Sequence, residues 1–266
     1  MKRMILMLGL AGLLLLPGSA LWAQLAAPNE MGVRMGHVHL NVRDMQANKN
    51  LFIALGGTPV AKVGDNETIK FPGVLILLKQ MEPSGGSVGS VVNHFGFQVP
   101  NVAQSMEKWK AAGVKTEAGG NAQQGFVITP DDVRIEILED ASMKVPIAMH
   151  HVHFFVDQAA IPEMQAWYAK TFGAKPGKRG NFQADDLPGV NLTFAPSATA
   201  TAPTKGRALD HIGFEIVDLE AFCKKLEASR VKFDRPYGKT PFGLGLAFIT
   251  DPWGTYIELN EGLDKL

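Results

Sequence analysis

The seven histidines of this chain fall in four short stretches: His37 with His39, His94 alone, His150 with His151 and His153, and His211 alone. Each stretch opens a strand-like run: Gly36-His37-Val38-His39-Leu40, Asn93-His94-Phe95-Gly96-Phe97, His150-His151-Val152-His153-Phe154 and Asp210-His211-Ile212-Gly213-Phe214. Histidines 37, 94, 151 and 211 stand 57, 57 and 60 residues apart, and a fixed period of that size marks a repeated supersecondary unit. A carboxylate recurs with the second and fourth copies, as Glu136 in Arg134-Ile135-Glu136-Ile137 and Glu258 in Tyr256-Ile257-Glu258-Leu259. Neighbours on a strand face opposite ways. If the aliphatic residues enter the core, each Glu lines the other face, where an unpaired carboxylate is costly. Neutral imidazoles and a carboxylate are good ligands for a divalent metal, and two His with one carboxylate leave positions open for substrate, water or oxygen. Taken half by half, the sets are His37, His94 and Glu136, then His151, His211 and Glu258. A single His would be assigned a hydrogen-bonding place at a strand start; four in register with matched Glu favour a metal.

Two further residues are candidates for acid-base work. His39 and His153 lie two residues beyond His37 and His151, about 7 Å along the same strand face, and could move protons or support a ligand. Tyr256 has the strand parity of Glu258 and is expected to face the pocket. His153 and Tyr256 are therefore the catalytic candidates of the C-terminal half.

The elements that must carry these residues repeat in the order β-α-β-β-β. In the first module a strand at 37–42 leads through the N-cap Asp44 to a helix that Gly56-Gly57 ends, followed by strands near 58–63, 68–71 and 74–79. The second module places its helix at 102–112, the third at 161–172 and the fourth at 219–229. The helical spacing of Trp109, Trp167, Phe172 and Phe222 assigns them to the core, and Cys223 reads as a buried, inert thiol. Phe71-Pro72-Gly73-Val74 matches Leu187-Pro188-Gly189-Val190, and odd modules read His-Val-His where even ones read His-x-Gly. The repeat is thus one of pairs. An N-terminal domain at 36–141 (modules 36–81 and 91–141) and a C-terminal domain at 147–261 (modules 147–195 and 208–261) are expected. Gly/Ser-rich 82–90 and Ala/Thr/Pro-rich 195–206 read as flexible linkers.

Lys2 and Arg3, an apolar run over residues 4–16 and small residues up to Ala23 have the form of a secretory signal peptide, 1–23. A periplasmic or secreted protein follows, with residues 24–35 as a loose leader. No later stretch is long and apolar enough to span a membrane. The formal net charge is +0, which argues against nucleic acid as a partner. A single cysteine excludes an intrachain disulfide, so stability must come from apolar burial, which 46% hydrophobic residues can supply. A monomer or homodimer acting on a small molecule is expected.

The βαβββ modules, the strand-opening His and the run Asp251-Pro252-Trp253-Gly254-Thr255-Tyr256-Ile257-Glu258-Leu259 resemble the vicinal oxygen chelate superfamily, over essentially all of 36–261. That group includes glyoxalase I, the fosfomycin and bleomycin resistance proteins and the extradiol dioxygenases. The resemblance implies an α+β fold in which four βαβββ modules pair into two half-barrel domains, each able to hold a metal. It also implies an enzyme whose metal binds adjacent substrate oxygens and stabilises a developing anion. Carried over, the ligands are His151, His211 and Glu258, with His37, His94 and Glu136 as the N-terminal counterpart. Glyoxalase I has a carboxylate in the last strand of both partner modules, whereas 74–78 and 190–194 have none here. Three ligands in a four-module chain look more like the extradiol dioxygenases, and Fe(II) is the favoured metal, with Mn, Ni, Co or Zn able to use the same ligands. Phe248 stands where the dioxygenase signature has Tyr, and 237–247 holds no His. Dioxygenase-like oxidation is the first reading; a glyoxalase-like isomerase or lyase, or a non-catalytic binding protein of the resistance type, are the alternatives.

Overall fold

The structure is a computed structural model describing residues 25–266; the signal-peptide expectation lies outside them. The first module consists of β1 (Val33–Val42), α1 (Met45–Leu55), β2 (Thr58–Val63), β3 (Asn66–Phe71) and β4 (Val74–Gln80). The second has β5 (Val92–Val99), α2 (Val102–Ala111), β6 (Lys115–Ala118), β7 (Gln124–Ile128) and β8 (Arg134–Glu139). The third has β9 (Ala148–Val156), α3 (Ile161–Phe172), β10 (Lys175–Arg179), β11 (Phe182–Leu187) and β12 (Val190–Pro196). The fourth has β13 (Leu209–Ile216), α4 (Leu219–Ala228), β14 (Phe233–Lys239), β15 (Gly245–Thr250) and β16 (Tyr256–Glu261). Asp44, Asn101 and Asp218 each accept a backbone N–H of their helix's first turn, at 2.8–3.0 Å. Gly56 closes α1 with φ of 112°, a left-handed conformation that disfavours other residues.

The sixteen strands form two eight-stranded sheets. The first runs β14-β15-β16-β13-β1-β4-β3-β2 and the second β10-β11-β12-β9-β5-β8-β7-β6. The α+β architecture of paired βαβββ modules is therefore present, but the pairing differs from the sequence expectation. Module 1 shares its sheet with module 4, and module 2 with module 3. The segments 36–141 and 147–261 do not each build a sheet. The chain leaves the first sheet after β4, builds the second from two consecutive modules, and returns before β13.

The two crossing segments explain how this pairing is held. They were expected to be flexible, yet they run side by side. Ser84 N–H donates to Gly206 O at 2.8 Å and Ala208 N–H to Gly85 O at 2.8 Å. Val91 N–H donates to Ala202 O at 2.9 Å, Ala202 N–H to Gly89 O at 2.9 Å, and Arg207 Nε to Gly86 O at 2.9 Å. Backbone groups that would otherwise need water are paired with each other.

The leader is also firmer than expected. β1 begins at Val33, and Val33 and Met35 are fully buried. Asn29 Nδ2 donates to Phe172 O at 2.8 Å, which ties the preceding turn to the end of α3.

A single large core contains apolar side chains from both sheets. Phe71 of the first sheet meets Phe97 of the second, ring centroids 4.8 Å apart, and Phe172 of α3 meets Phe214 of β13 at 4.7 Å. Trp109, Phe172, Phe222 and Cys223 are buried as their spacing requires. Even-numbered residues of β1 and β13 (Val38, Leu40, Ile212, Phe214) enter this core. Strand alternation then gives the opposite face to His37, His39 and His211, and in the second sheet, where Phe95, Phe97, Val152 and Phe154 enter the core, to His94, His151 and His153.

Candidate metal centres

The antiparallel pair at the middle of each sheet sets the geometry. In the first sheet, His37 lies opposite Gly213 and His39 opposite His211; in the second, His151 lies opposite Gly96 and His153 opposite His94. The glycines of the even modules now have a reason. A Cβ at Gly213 would fall on the His37 ring, and one at Gly96 on the His151 ring. The His-x-Gly pattern is the imprint of the partner module's histidine. β16 and β8 run parallel to β13 and β5, setting Glu258 beside Gly213 and Glu136 beside Gly96.

Two clusters result: His37, His39, His211 and Glu258 on the first sheet, and His94, Glu136, His151 and His153 on the second. Within each, one candidate ligand atom per residue lies within 4.8 Å of the others. All six residues expected as ligands are thus in clusters, but sorted differently. His37 joins His211 and Glu258, while His151 joins His94 and Glu136. The expected sets mixed the two sites because they assumed that consecutive modules pair. His39 and His153 are full members of the clusters, closer in than a supporting role would need.

In the first centre Glu258 Oε2 lies 2.8 Å from His211 Nε2 and 3.5 Å from His37 Nε2, and Asn260 Nδ2 donates to its other oxygen at 2.5 Å. His211 Nδ1 meets Asp210 Oδ2 at 2.6 Å. Asp210 is itself anchored by Asn41 Nδ2 at 3.1 Å and Gly206 N–H at 2.5 Å. His39 stacks on His211 at 4.3 Å. Burial opposes a charge on His211, but the carboxylates of Asp210 and Glu258 outweigh it and hold the imidazole up to about 9. Burial, aided by His211 and opposed by Glu258, lowers His37, and burial with the neighbouring His211 lowers His39 well below the usual range. The centre opens into a cavity of about 330 Å³, which Tyr256 and Phe248 also line. Tyr256 stands edge-on to His211 at 5.6 Å, and burial raises its phenol.

In the second centre Glu136 Oε2 lies 2.8 Å from His151 Nε2 and 3.2 Å from His94 Nε2. His153 Nδ1 lies 3.1 Å from His94 Nε2. Gln124 Nε2 donates to Glu136 Oε1. His94 Nδ1 meets the neutral Asn93 Oδ1 at 2.9 Å, where the first centre has Asp210. Arg179 Nη2 lies 3.9 Å from Glu136 Oε2 and 3.4 Å from His153 Nδ1. Burial lowers His151 to about 3 and His153 to about 2. Burial would raise Glu136, but the close imidazoles of His151 and His94 hold it far below the usual range. The adjoining cavity is about 500 Å³.

Both donor sets fit a divalent cation. His37 is fully buried with neither ring nitrogen hydrogen-bonded, and His39 Nδ1, His151 Nε2 and His153 Nε2 are likewise buried without a hydrogen bond. His151 Nε2 is 2.8 Å from a carboxylate oxygen yet misaligned for a hydrogen bond. Buried orphaned nitrogens are costly. Nitrogen and oxygen atoms that converge without pairing are what a shared cation would satisfy. The place for a second carboxylate is apolar or neutral: Leu75 lies beside His37 and Asn191 beside His151.

Residues 148–259 match the family model described as the Glyoxalase/Bleomycin resistance protein/Dioxygenase superfamily. The third and fourth modules therefore carry the sequence pattern of that superfamily. Among solved structures it is similar to glyoxalase I from Zea mays, with 18% identity, 88% of this chain and 94% of that chain covered, and a TM-score of 0.69. It is also similar to a "putative dioxygenase" from Bacillus subtilis subsp. subtilis str. 168, with 15% identity, 90% and 86% covered, and a TM-score of 0.67. At such identities the superfamily likeness carries the fold and not the chemistry. No curated protein sequence matches the chain.

Sequence reasoning missed Asp210, Asn260, Arg179 and Gln124 as contributors to these centres. Asp210 was visible beside His211, but neighbours on a strand normally face apart, so its reach to Nδ1 was hidden. Asn260 follows Glu258 at the same parity and was available to that reasoning. Arg179 ends β10, and no local pattern marks it.

Proposed function

We propose that this chain is a divalent-metal enzyme acting on a small substrate with adjacent oxygens. The observation that carries the reading is the pair of buried clusters whose imidazole nitrogens lack hydrogen bonds while facing a carboxylate. His37, His211 and Glu258 would hold one cation, and His94, His151 and Glu136 a second. Such a cation supplies Lewis acidity that binds two substrate oxygens and stabilises the negative charge that builds on them.

The chain's own groups complete the site. Asp210 fixes the orientation of His211 through Nδ1 and raises its basicity. His39 and His153, held neutral by burial, are members of the clusters and can accept a hydrogen bond from a bound substrate. Tyr256 keeps its proton and can donate a hydrogen bond to a bound oxygen. The two-His-one-carboxylate set favours Fe(II) and oxidation of the dioxygenase type, and Mn, Ni, Co and Zn compete for the same ligands. Proton transfer of the glyoxalase type is the second reading, favoured by the neutral imidazoles of His39 and His153 within the clusters. The charged, apolar, small-residue order of residues 1–23 supports export and action in the periplasm or outside the cell.

Metal analysis of protein purified without oxygen tests the proposal. About two cations per chain are expected, and a chain that takes up no divalent metal when offered Fe(II), Co(II) or Zn(II) refutes it.

A further inference from the structure

The two cavities differ in what they would accept beside the metal. Arg179 is held at the second centre by a relay along β12: its Nε donates to Thr193 Oγ1 at 2.7 Å, Thr193 donates to Asn191 Oδ1 at 2.6 Å, and Asn191 donates to Asp186 Oδ1 at 2.7 Å. A guanidinium so fixed presents its remaining N–H groups to the cavity. Arg134 lies two residues before Glu136 on β8 and stacks its guanidinium 3.6 Å above the Phe126 ring. Its Nε is buried and without a partner, and it has no carboxylate in ion-pair range among the described residues. Glu139, the other acid of this cavity, accepts from Val102 N–H at the start of α2 at 3.0 Å. Phe126, Phe155 and Phe182 supply flat apolar walls, and Phe182 meets His153 edge-on at 5.2 Å.

From this juxtaposition we infer that the second cavity binds an oxyanion carried on an aromatic or apolar body, with Arg179 and Arg134 gripping the oxyanion and the phenylalanines holding the body. Arginine is suited to this because its planar fork matches carboxylate and phosphate oxygens. Arg179 also bears on Glu136 from 3.9 Å, so an oxyanion held there lies next to the candidate metal position. The inference deepens the proposed function at one of its two sites, and the arginine grip stands whether or not a metal is bound.

The test is calorimetric titration of the full chain with mandelate, phenyl phosphate and neutral 1-phenylethane-1,2-diol, with metal content measured on the same samples. Mandelate or phenyl phosphate is expected to bind, and the tighter of the two identifies the oxyanion. Arg179→Gln and Arg134→Gln should each weaken that binding about tenfold or more, with partial recovery in Arg179→Lys, while binding of the diol stays unchanged. Arg179→Gln should leave metal content equal or higher, since it removes a cation from beside Glu136, whereas a general loss of structure would lower both. Anion binding unchanged in both arginine variants, or lost instead in Arg235→Gln, where Arg235 lines the first cavity, overturns the inference. A chain without metal that still shows arginine-dependent anion binding would overturn the metal proposal alone.

Discussion

The two centres are built on one plan and differ in the charges behind their ligands. Each has two histidines on an odd-module strand, one on an even-module strand and a Glu on the last even-module strand. Behind the first centre stands an acid, Asp210, 2.6 Å from His211 Nδ1. The corresponding place in the second centre holds Asn93, and a guanidinium approaches the Glu instead. A buried carboxylate behind an imidazole strengthens it as a ligand, whereas a cation near 4 Å opposes the entry of another. On the proposed reading, the first centre would be the stronger of the two candidate metal sites and the second the one suited to an anion. A duplicated scaffold keeps its ligand positions and varies the residues around them.

The steric side of the plan gives the largest expected effect. Gly213→Ala places a methyl on the His37 ring and Gly96→Ala one on the His151 ring. Each should cut metal affinity at its own sheet about a hundredfold and leave the other site's affinity intact, as read by competition with a chelating dye. Equal losses at both sites in either variant would break the two-centre picture.

Next in size is the acid that distinguishes the centres. Asp210→Asn should weaken metal binding at the first site about tenfold to a hundredfold. Asn93→Ala should change the second site by less than about threefold. If the two substitutions act equally, the electrostatic contrast between the sites is wrong.

A smaller contrast lies on the core side of the sheets. The repeat that aligns Phe71-Pro72-Gly73 with Leu187-Pro188-Gly189 aligns Ile69 with Asp185, and both are fully buried. Neither carboxylate oxygen of Asp185 has a hydrogen-bond partner, and burial pushes the group up to about 7. Its folded value exceeds the ordinary 3.8, so the folded state takes up the proton more readily. That contribution to stability is full below pH 4 and is lost as pH rises through 7. Asp185→Asn should flatten the dependence and raise Tm at pH 8 by about a few degrees, with little change at pH 4. A Tm difference that is the same at both pH values would contradict the assignment.

Much of this was written in the chain in readable form. Turn residues such as Asp44, Gly56 and Gly173 delimit the elements locally, so the βαβββ order and the core aromatics could be read directly. Glu136 and Glu258 are flanked by aliphatics on strands, so their face was legible by parity alone. Which modules share a sheet was not legible. The His-x-Gly motif says that another module's histidine must fit above Gly96 and Gly213, but both odd modules offer the same histidine. The choice is made by the clasp between 84–91 and 202–208, whose contacts, those of the Arg207 side chain aside, are backbone to backbone and leave little trace in residue type. Arg179 was hidden for a related reason, since a side chain reaching across from β10 has no fixed sequence distance to Glu136.

The central claim is that each centre is shared between modules 1 and 4 or between modules 2 and 3. Metal content of two double variants tests it most directly. His37→Ala with Glu258→Gln removes two ligands from one centre and should leave about one cation per chain. His37→Ala with Glu136→Gln removes one ligand from each and should leave neither site able to hold its metal through gel filtration. The reverse result, with the first pair emptying both sites and the second sparing one, would mean that consecutive modules form the sites and would contradict the account.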